Sequence, residues 1–372
     1  MSERFTAVYR LKMGRTEAAA EAADICIEQT VEYPQDLILR KDIREEIFGR
    51  VESFRTIRED LHEAEISYAV EIASGELTQL LNILFGNISL KPGIRLERFD
   101  LPAALLNGFK GPRFGRSGLR ELLDAPRRPL LGTALKPMGL SPGELADLAR
   151  RFALGGMDLI KDDHGLTDQP FCRFEERVKR CAEAVSNANR TTGRRTLYFP
   201  NITAPADRVF ERARLAKESG AGGLVLSPGI TGLDTMRLLA EDDRIGMPIL
   251  SHPALQGSFT ASPDHGMTHG AIYGILNRLA GADGCIFPNH GGRFTFSVED
   301  CRDIVHGTAS DMQHLRPIFP IPAGGMSLDR VPEILRFYGN DVVLLIGGDL
   351  HRHGPDLIES CRMFAKAASC SS

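Results

Sequence analysis

The sequence predicts an α/β protein: a ferredoxin-like α+β domain over residues 1–120, followed by a (β/α)8 TIM barrel over residues 121–372. Three observations predict it. Eight short apolar runs recur after residue 120, starting roughly 24 to 38 residues apart, which is the spacing of repeated βα units. Before residue 120 the pattern runs strand, helix, strand, strand, helix, strand, the order of a ferredoxin-like module. Polar residues able to do chemistry follow most of the eight runs, where a barrel carries its active site. A doubly wound open sheet is the alternative that the same alternation permits.

In the first domain, residues 5–13 read as a strand, 16–31 as a helix, 44–53 and 63–72 as strands, 76–84 as a helix and 88–96 as a strand. The break Pro126-Arg127-Arg128-Pro129 ends this pattern. The barrel strands follow at 130–135, 159–161, 197–202, 223–226, 248–251, 284–287, 318–321 and 342–346. Strand one runs into Lys136, strand two into Lys161, Asp163 and His164, strand three into Asn201 and Thr203, and strand five into His252. Strand six runs into Asn289 and His290, strand seven into Gly324-Gly325 and strand eight into Gly347-Gly348.

Composition narrows the class of function. The 372 residues are 42% hydrophobic and 25% charged with a net charge of -4, ordinary for a globular enzyme and without the basic excess of a nucleic-acid binder. The longest fully apolar runs, such as 342–346, are far too short to cross a membrane. Met1-Ser2-Glu3-Arg4 lacks the basic and apolar blocks of a signal peptide, so the expected compartment is the cytoplasm. Seven cysteines, an odd number with no C-x-x-C spacing, predict free thiols rather than disulfides or a zinc site.

The stretch Gly155 to His164 carries the strongest functional signal. A buried strand ends there in Lys161, Asp162 and Asp163 followed by His164, and such groups at the mouth of a sheet must be solvated, paired or bound to a metal. The plainer reading is an exposed turn with Lys161 and Asp163 as a surface pair. Gly324-Gly325 and Gly347-Gly348 predict a phosphate site, because a residue without Cβ lets backbone N–H groups approach an anion. His265 and His269 have the spacing of two ligands at the start of a barrel helix, with no third ligand in view. His290 reads either as a loop residue pointing into the site or as a solvent histidine.

These residues resemble the ribulose-bisphosphate carboxylase (RuBisCO) superfamily over nearly the whole chain. Residues 132–141, GTALKPMGLS, are similar to the family motif G-T-x-x-K-P-K-x-G-L-S, and GGMDLIKDDH at 155–164 to G-G-x-D-x-x-K-D-D-E. LFGNI at 84–88 and FKGPRFG at 109–115 resemble two further family motifs. The resemblance implies a homodimer whose active site is completed by the neighbour's small domain, with Asn87 donating hydrogen bonds to substrate oxygens; Glu28 lies where the family has a small-domain active-site glutamate, and its plainer reading is an exposed helical residue. It implies that CO2 forms a carbamate on Lys161, which ligates Mg2+ together with Asp163 and His164. Lys136 is then the expected proton-transfer residue, provided burial and the metal lower its pKa, with His252 and His290 as further catalytic candidates.

The departures choose the branch. His164 stands where the family has glutamate, which makes Mn2+ a possible alternative to Mg2+. Met138 replaces a lysine, His252-Pro253 replaces His-Arg, and residues 288–296 contain no lysine to stabilise newly fixed CO2. This pattern resembles the RuBisCO-like proteins. The expectation is therefore metal-dependent enolisation on a phosphorylated ketose without CO2 fixation: an isomerase or enolase acting on 5-methylthioribulose 1-phosphate or a related monophosphate. The alternatives are a decarboxylase or C–C hydrolase of a branched 3-oxo sugar-acid phosphate, as in apionate-type catabolism, and a non-catalytic binding or stress-response protein.

Overall fold

The computed structural model describes residues 3–292, 294 and 296–370. Its thirteen strands are β1 (Arg4–Leu11), β2 (Arg50–Arg58), β3 (Leu61–Ala69), β4 (Ile94–Asp100), β5 (Leu130–Leu135), β6 (Leu159–Asp162), β7 (Leu197–Phe199), β8 (Leu224–Leu226), β9 (Ile249–Ser251), β10 (Gly266–Met267), β11 (Gly284–Pro288), β12 (Phe319–Ala323) and β13 (Val343–Ile346). They form a five-stranded sheet in the order β10-β4-β1-β3-β2 and an eight-stranded one in the order β7-β6-β5-β13-β12-β11-β9-β8.

The first sheet is antiparallel around β1, which pairs β3 from Arg4↔Ala69 to Leu11↔His62 and also pairs β4. The helix Arg15–Glu28 buries Ala18, Ala22, Ile25 and Cys26, and Leu77–Phe85 buries Leu77, Leu80, Ile83, Leu84 and Phe85, so each shows one apolar stripe to the core. Two strands of this domain begin later than expected, and the strand expected over 63–72 ends early, at Ala69, where Val70–Ala73 forms a 3-10 helix. The strand expected over 44–53 begins only at Arg50, because Ile43–Ile47 closes a π-helical turn. The strand expected over 88–96 begins at Ile94, because Asn87–Leu90 is a 3-10 turn anchored by buried Ile88. The short β10, from the barrel half of the chain, adds to this sheet in parallel with β4 through Gly266↔Arg95 and Met267↔Leu96.

All eight expected barrel strands are present. Neighbours are parallel, and the bridge Asn201↔Val225 joins β7 to β8 to close the ring. An apolar cluster fills the inside with at least one residue from every barrel strand: Leu130, Leu159, Phe199, Val225, Leu250, Ile286, Phe319 with Ile321, and Val343. Leu119 and Leu123, from the helix Gly115–Leu123, join that cluster. The motif that ends at Gly115 is tied to the barrel by Asp283, whose buried carboxylate accepts the N–H groups of Phe114 and Gly115 at 2.7 Å and of Ile249 at 2.9 Å. Burial pushes that carboxyl up to about 6.

The helix before β6 shows how sequence positions the site. Ser141 and Glu144 form a capping box and Pro142 opens the helix Pro142–Gly155. Gly156, at φ 95°, ends it in the left-handed region, and the chain enters β6 three residues later. Six cysteines, at positions 26, 172, 181, 285, 301 and 361, are buried and free. Among the described residues no helix is long and apolar enough to cross a membrane.

Candidate active site

Side-chain alternation along β6 sorts the polar residues at its end. Leu159 belongs to the barrel interior, so Lys161 lies on the same inner side, while Ile160 belongs to the outer core. Asp162 follows Ile160 outward. Its fully buried carboxylate pairs with the fully buried Arg177 at 3.0 Å and accepts hydrogen bonds from Tyr198 Oη at 2.7 Å and the Asn201 N–H at 3.1 Å. Three polar groups at this strand end therefore face the mouth rather than four. Asp162 is an anchor for the strand from behind.

Lys161 is only 4% exposed, which removes the reading of a surface pair. Its Nζ donates to the Asp162 carbonyl at 2.8 Å. Burial pulls its amine down to about 8, with Lys136 acting in the same direction and Asp163 and Asp162 opposing it. Asp163 lies 3.2 Å from Lys136 Nζ and 3.3 Å from His164 Nδ1. Burial alone would raise its carboxyl, but the His164 hydrogen bond and the charges of Lys136 and Lys161 hold it well below the usual carboxylate range. The His164 ring stacks on His252 with centroids 4.7 Å apart and planes 8° from parallel. Burial next to Lys161 pushes His252 down to about 2, and its Nδ1 accepts the Ala254 N–H at 3.2 Å. His252 is thus neutral, with the proton on Nε2.

Lys136, Lys161, Asp163, His164 and His252 come from strands one, two and five and meet at one spot. Lys136 has 48% of its side chain exposed in the single chain, so the expected burial is absent there. Asn201, fully buried, donates to the carbonyls of His164 and Leu166 at 2.9 Å and so holds the loop after β6. His290 packs against Phe337 and Tyr338, with centroids 5.2 and 6.5 Å away, and is grouped with those rings rather than with Lys161. Arg293 and Thr295 of the loop expected to lack a lysine lie outside the described residues. Asn87 donates to Glu28 at 3.0 Å within the small domain, which brings those two candidates together. His265 and His269 flank β10 rather than share a helix; His265 lies against Phe85 and His269 beside Asp300.

Gly324 and Gly325 have φ of 85° and 66°, a conformation that favours glycine. A Cβ at Gly324, Gly347 or Gly348 would meet no atom within 4 Å, so both turns face open space that a phosphate can enter. The two turns are linked by the Leu328 N–H, which donates to Asp349 at 3.2 Å.

The donor set fits a divalent cation only in one form. Among the described residues no three His, Cys, Asp or Glu side chains converge as a metal site. Asp163 and His164 are two adjacent donors, and protonated Lys161 beside them repels a cation. As a carbamate, Lys161 becomes a third, anionic oxygen donor suited to a hard metal.

Arg177 and Tyr198, which hold Asp162 from behind, belong to none of the motifs in the sequence. The signal for Arg177 was faint: a basic residue within the buried stripe Phe174, Val178, Cys181 of the helix Phe174–Thr192.

The sequence profile of the ribulose bisphosphate carboxylase large chain, catalytic domain, matches residues 115–361. The chain is 39% identical over 370 residues to a 5-methylthioribulose-1-phosphate isomerase of Rhodospirillum rubrum, covering 99% of this chain and 97% of that one. It is 37% identical over 290 residues to a 2,3-diketo-5-methylthiopentyl-1-phosphate enolase of Bacillus cytotoxicus, covering 78% of this chain and 70% of the relative. Among solved structures, a Rubisco-like protein from Rhodopseudomonas palustris superposes with a TM-score of 0.90 at 38% identity, covering 99% and 98% of the two chains.

Proposed function

The chain belongs to the ribulose bisphosphate carboxylase large-chain family, among its RuBisCO-like members, and we propose that it is the branch of enzyme that shifts a proton beside the carbonyl of a phosphorylated ketose without fixing CO2. That it is an enzyme of isomerase or enolase type follows from relatives so named. This sets aside a non-catalytic binding role. The proposed substrate is 5-methylthioribulose 1-phosphate or a related monophosphate, with isomerisation the leading reaction. The observation that carries the reading is the buried Lys161 amine beside Asp163, His164 and His252, facing Lys136 at the barrel mouth.

Lys161 supplies a nucleophilic amine in its neutral form; its nitrogen bonds the carbon of CO2 and releases one proton, leaving a carbamate. Asp163, His164 and that carbamate would hold Mg2+ or Mn2+, which when bound acts as a Lewis acid on the substrate carbonyl and acidifies the adjacent C–H. Lys136 moves that proton. Neutral His252 donates from Nε2 to a substrate oxygen without adding charge. Gly324, Gly325, Gly347 and Gly348 receive the phosphate through backbone N–H groups. Met138, where carboxylases of the family carry a lysine, lies over Gly165 and leaves the mouth without that cation. Asn87, paired with Glu28, completes the site of a partner subunit in a homodimer, with residues 1–120 and 121–372 dividing the two roles.

The test is product analysis with purified enzyme, bicarbonate and Mg2+ or Mn2+, with EDTA-treated and Lys161→Ala controls. The expected product is the isomer of the monophosphate, formed only with metal and Lys161. An enol product from a 2,3-diketo phosphate would transfer the reaction to the enolase. Full activity in EDTA would overturn the metal-dependent reading.

A further inference from the structure

Glycine pairs are conformationally permissive, so a turn built from two of them is held in an anion-accepting shape only by something outside itself. The Gly324-Gly325 turn has such a group beneath it. Arg330, the residue before the helix Val331–Tyr338, donates from Nη1 to the Gly325 carbonyl at 2.9 Å and from Nη2 to the His290 carbonyl at 3.5 Å. Its Nε faces Glu333 at 3.4 Å, and only 23% of its side chain is exposed. One planar fork therefore touches the loop after β11 and the turn after β12 at once, with a fixed spacing of donors that a lysine's single ammonium lacks.

The contact is close on both sides. A Cβ on Gly291 would come 3.1 Å from Arg330 Nη2, and one on Gly325 would come 3.0 Å from Nη1 and 3.2 Å from the Gly292 Cα. Both glycines have positive φ, 71° and 66°. The two loops are thus packed backbone to backbone over the guanidinium, and the Asn289 N–H adds a 2.9 Å bond to the Ala323 carbonyl just before the turn. On the far side, Asp349 ties residue 328 to the loop after β13 and is held in turn by His353 Nε2 at 2.9 Å.

We infer that Arg330 is the positioning residue of the substrate phosphate site: it straps the loop after β11 to the Gly324-Gly325 turn and fixes that turn with its backbone donors free for the anion. The inference rests on the reading that this turn takes a phosphate. Arg330 does not touch the reacting carbon. Its loss should therefore weaken binding and leave the proton transfer largely intact.

The test uses the full-length enzyme with inorganic phosphate, followed by calorimetry, and the monophosphate substrate, followed by steady-state kinetics. Arg330→Gln should weaken phosphate binding and raise KM about tenfold while kcat changes by less than about threefold. Arg330→Lys, which keeps the charge and loses the fork, should recover only part of the KM. The 13C signal of a Lys161 carbamate should be the same in all three proteins. If Arg330→Gln does not fold, His353→Gln loosens the strap from the other side and should raise KM in the same direction. Phosphate binding by wild type but equally by Arg330→Gln and Arg330→Lys would overturn this inference alone. No phosphate binding by wild type, with turnover of an unphosphorylated sugar, would overturn the phosphate site itself and this inference with it.

Discussion

Carbamylation of Lys161 should follow the titration of its own amine. CO2 reacts with the neutral form, and burial lowers this lysine from its ordinary 10.5 to about 8. Neutral amine is then about 10% of the total at pH 7, against about 0.03% for an exposed lysine, a gain of roughly 300-fold. The direction is fixed by the sign of the shift: a depressed lysine gains its neutral form as pH rises toward 8 and is mostly neutral above it. At constant dissolved CO2, the rate of carbamate formation should rise nearly tenfold from pH 6 to 7, more slowly from 7 to 8, and level off by about pH 9. The assay is 13C NMR of metal-free enzyme after a jump into labelled bicarbonate, with Lys161→Ala as the blank. A rate that still rises nearly tenfold from pH 8 to 9 would show an ordinary exposed lysine. A carbamate signal that survives in Lys161→Ala would place the chemistry elsewhere.

Three further outcomes follow from other parts of the structure. Arg177→Met leaves the buried Asp162 carboxylate without its cation and should cost about 3–5 kcal/mol in urea unfolding; a loss below about 1 kcal/mol would contradict the anchoring role. Gly348→Val meets no protein atom within 4 Å of its Cβ, so Tm should hold while KM for the phosphorylated substrate rises about tenfold or more; unchanged KM would remove Gly348 from the phosphate site. Mixing inactive Asn87→Ala and Lys161→Ala dimers should restore roughly a quarter of the sites if the site is shared between subunits, and none if Asn87 serves its own chain.

The barrel was legible because its strands are short apolar runs followed by polar residues, a pattern that survives without any neighbour. The small domain was legible in order but not in boundaries. At β2 nearly every side chain is exposed, so no alternation marks where the strand starts, and the expected strand takes in residues 44–47, which belong to the helical turn Ile43–Ile47. At β4 the expected strand likewise takes in the apolar Ile88 and Leu90, although they belong to the turn before Lys91-Pro92-Gly93. Lys161, Asp163 and His164 were legible as a cluster. That Asp162 turns away was implicit in the two-residue period of the strand, but its partner Arg177 lies fifteen residues on, in a helix whose face only the fold defines. His290 shows the same limit: its aromatic neighbours Phe337 and Tyr338 are far away in sequence.

The central claim is that this site enolises a ketose monophosphate and leaves CO2 out of the product. Incubating wild type with 5-methylthioribulose 1-phosphate, Mg2+ and 13C-bicarbonate in D2O tests both halves in one NMR experiment. The account predicts deuterium at the carbon beside the carbonyl, loss of that exchange in Lys136→Met, and no 13C in any product. Stable 13C incorporation into a carboxylated product, or turnover with neither deuterium uptake nor dependence on Lys136, would contradict it.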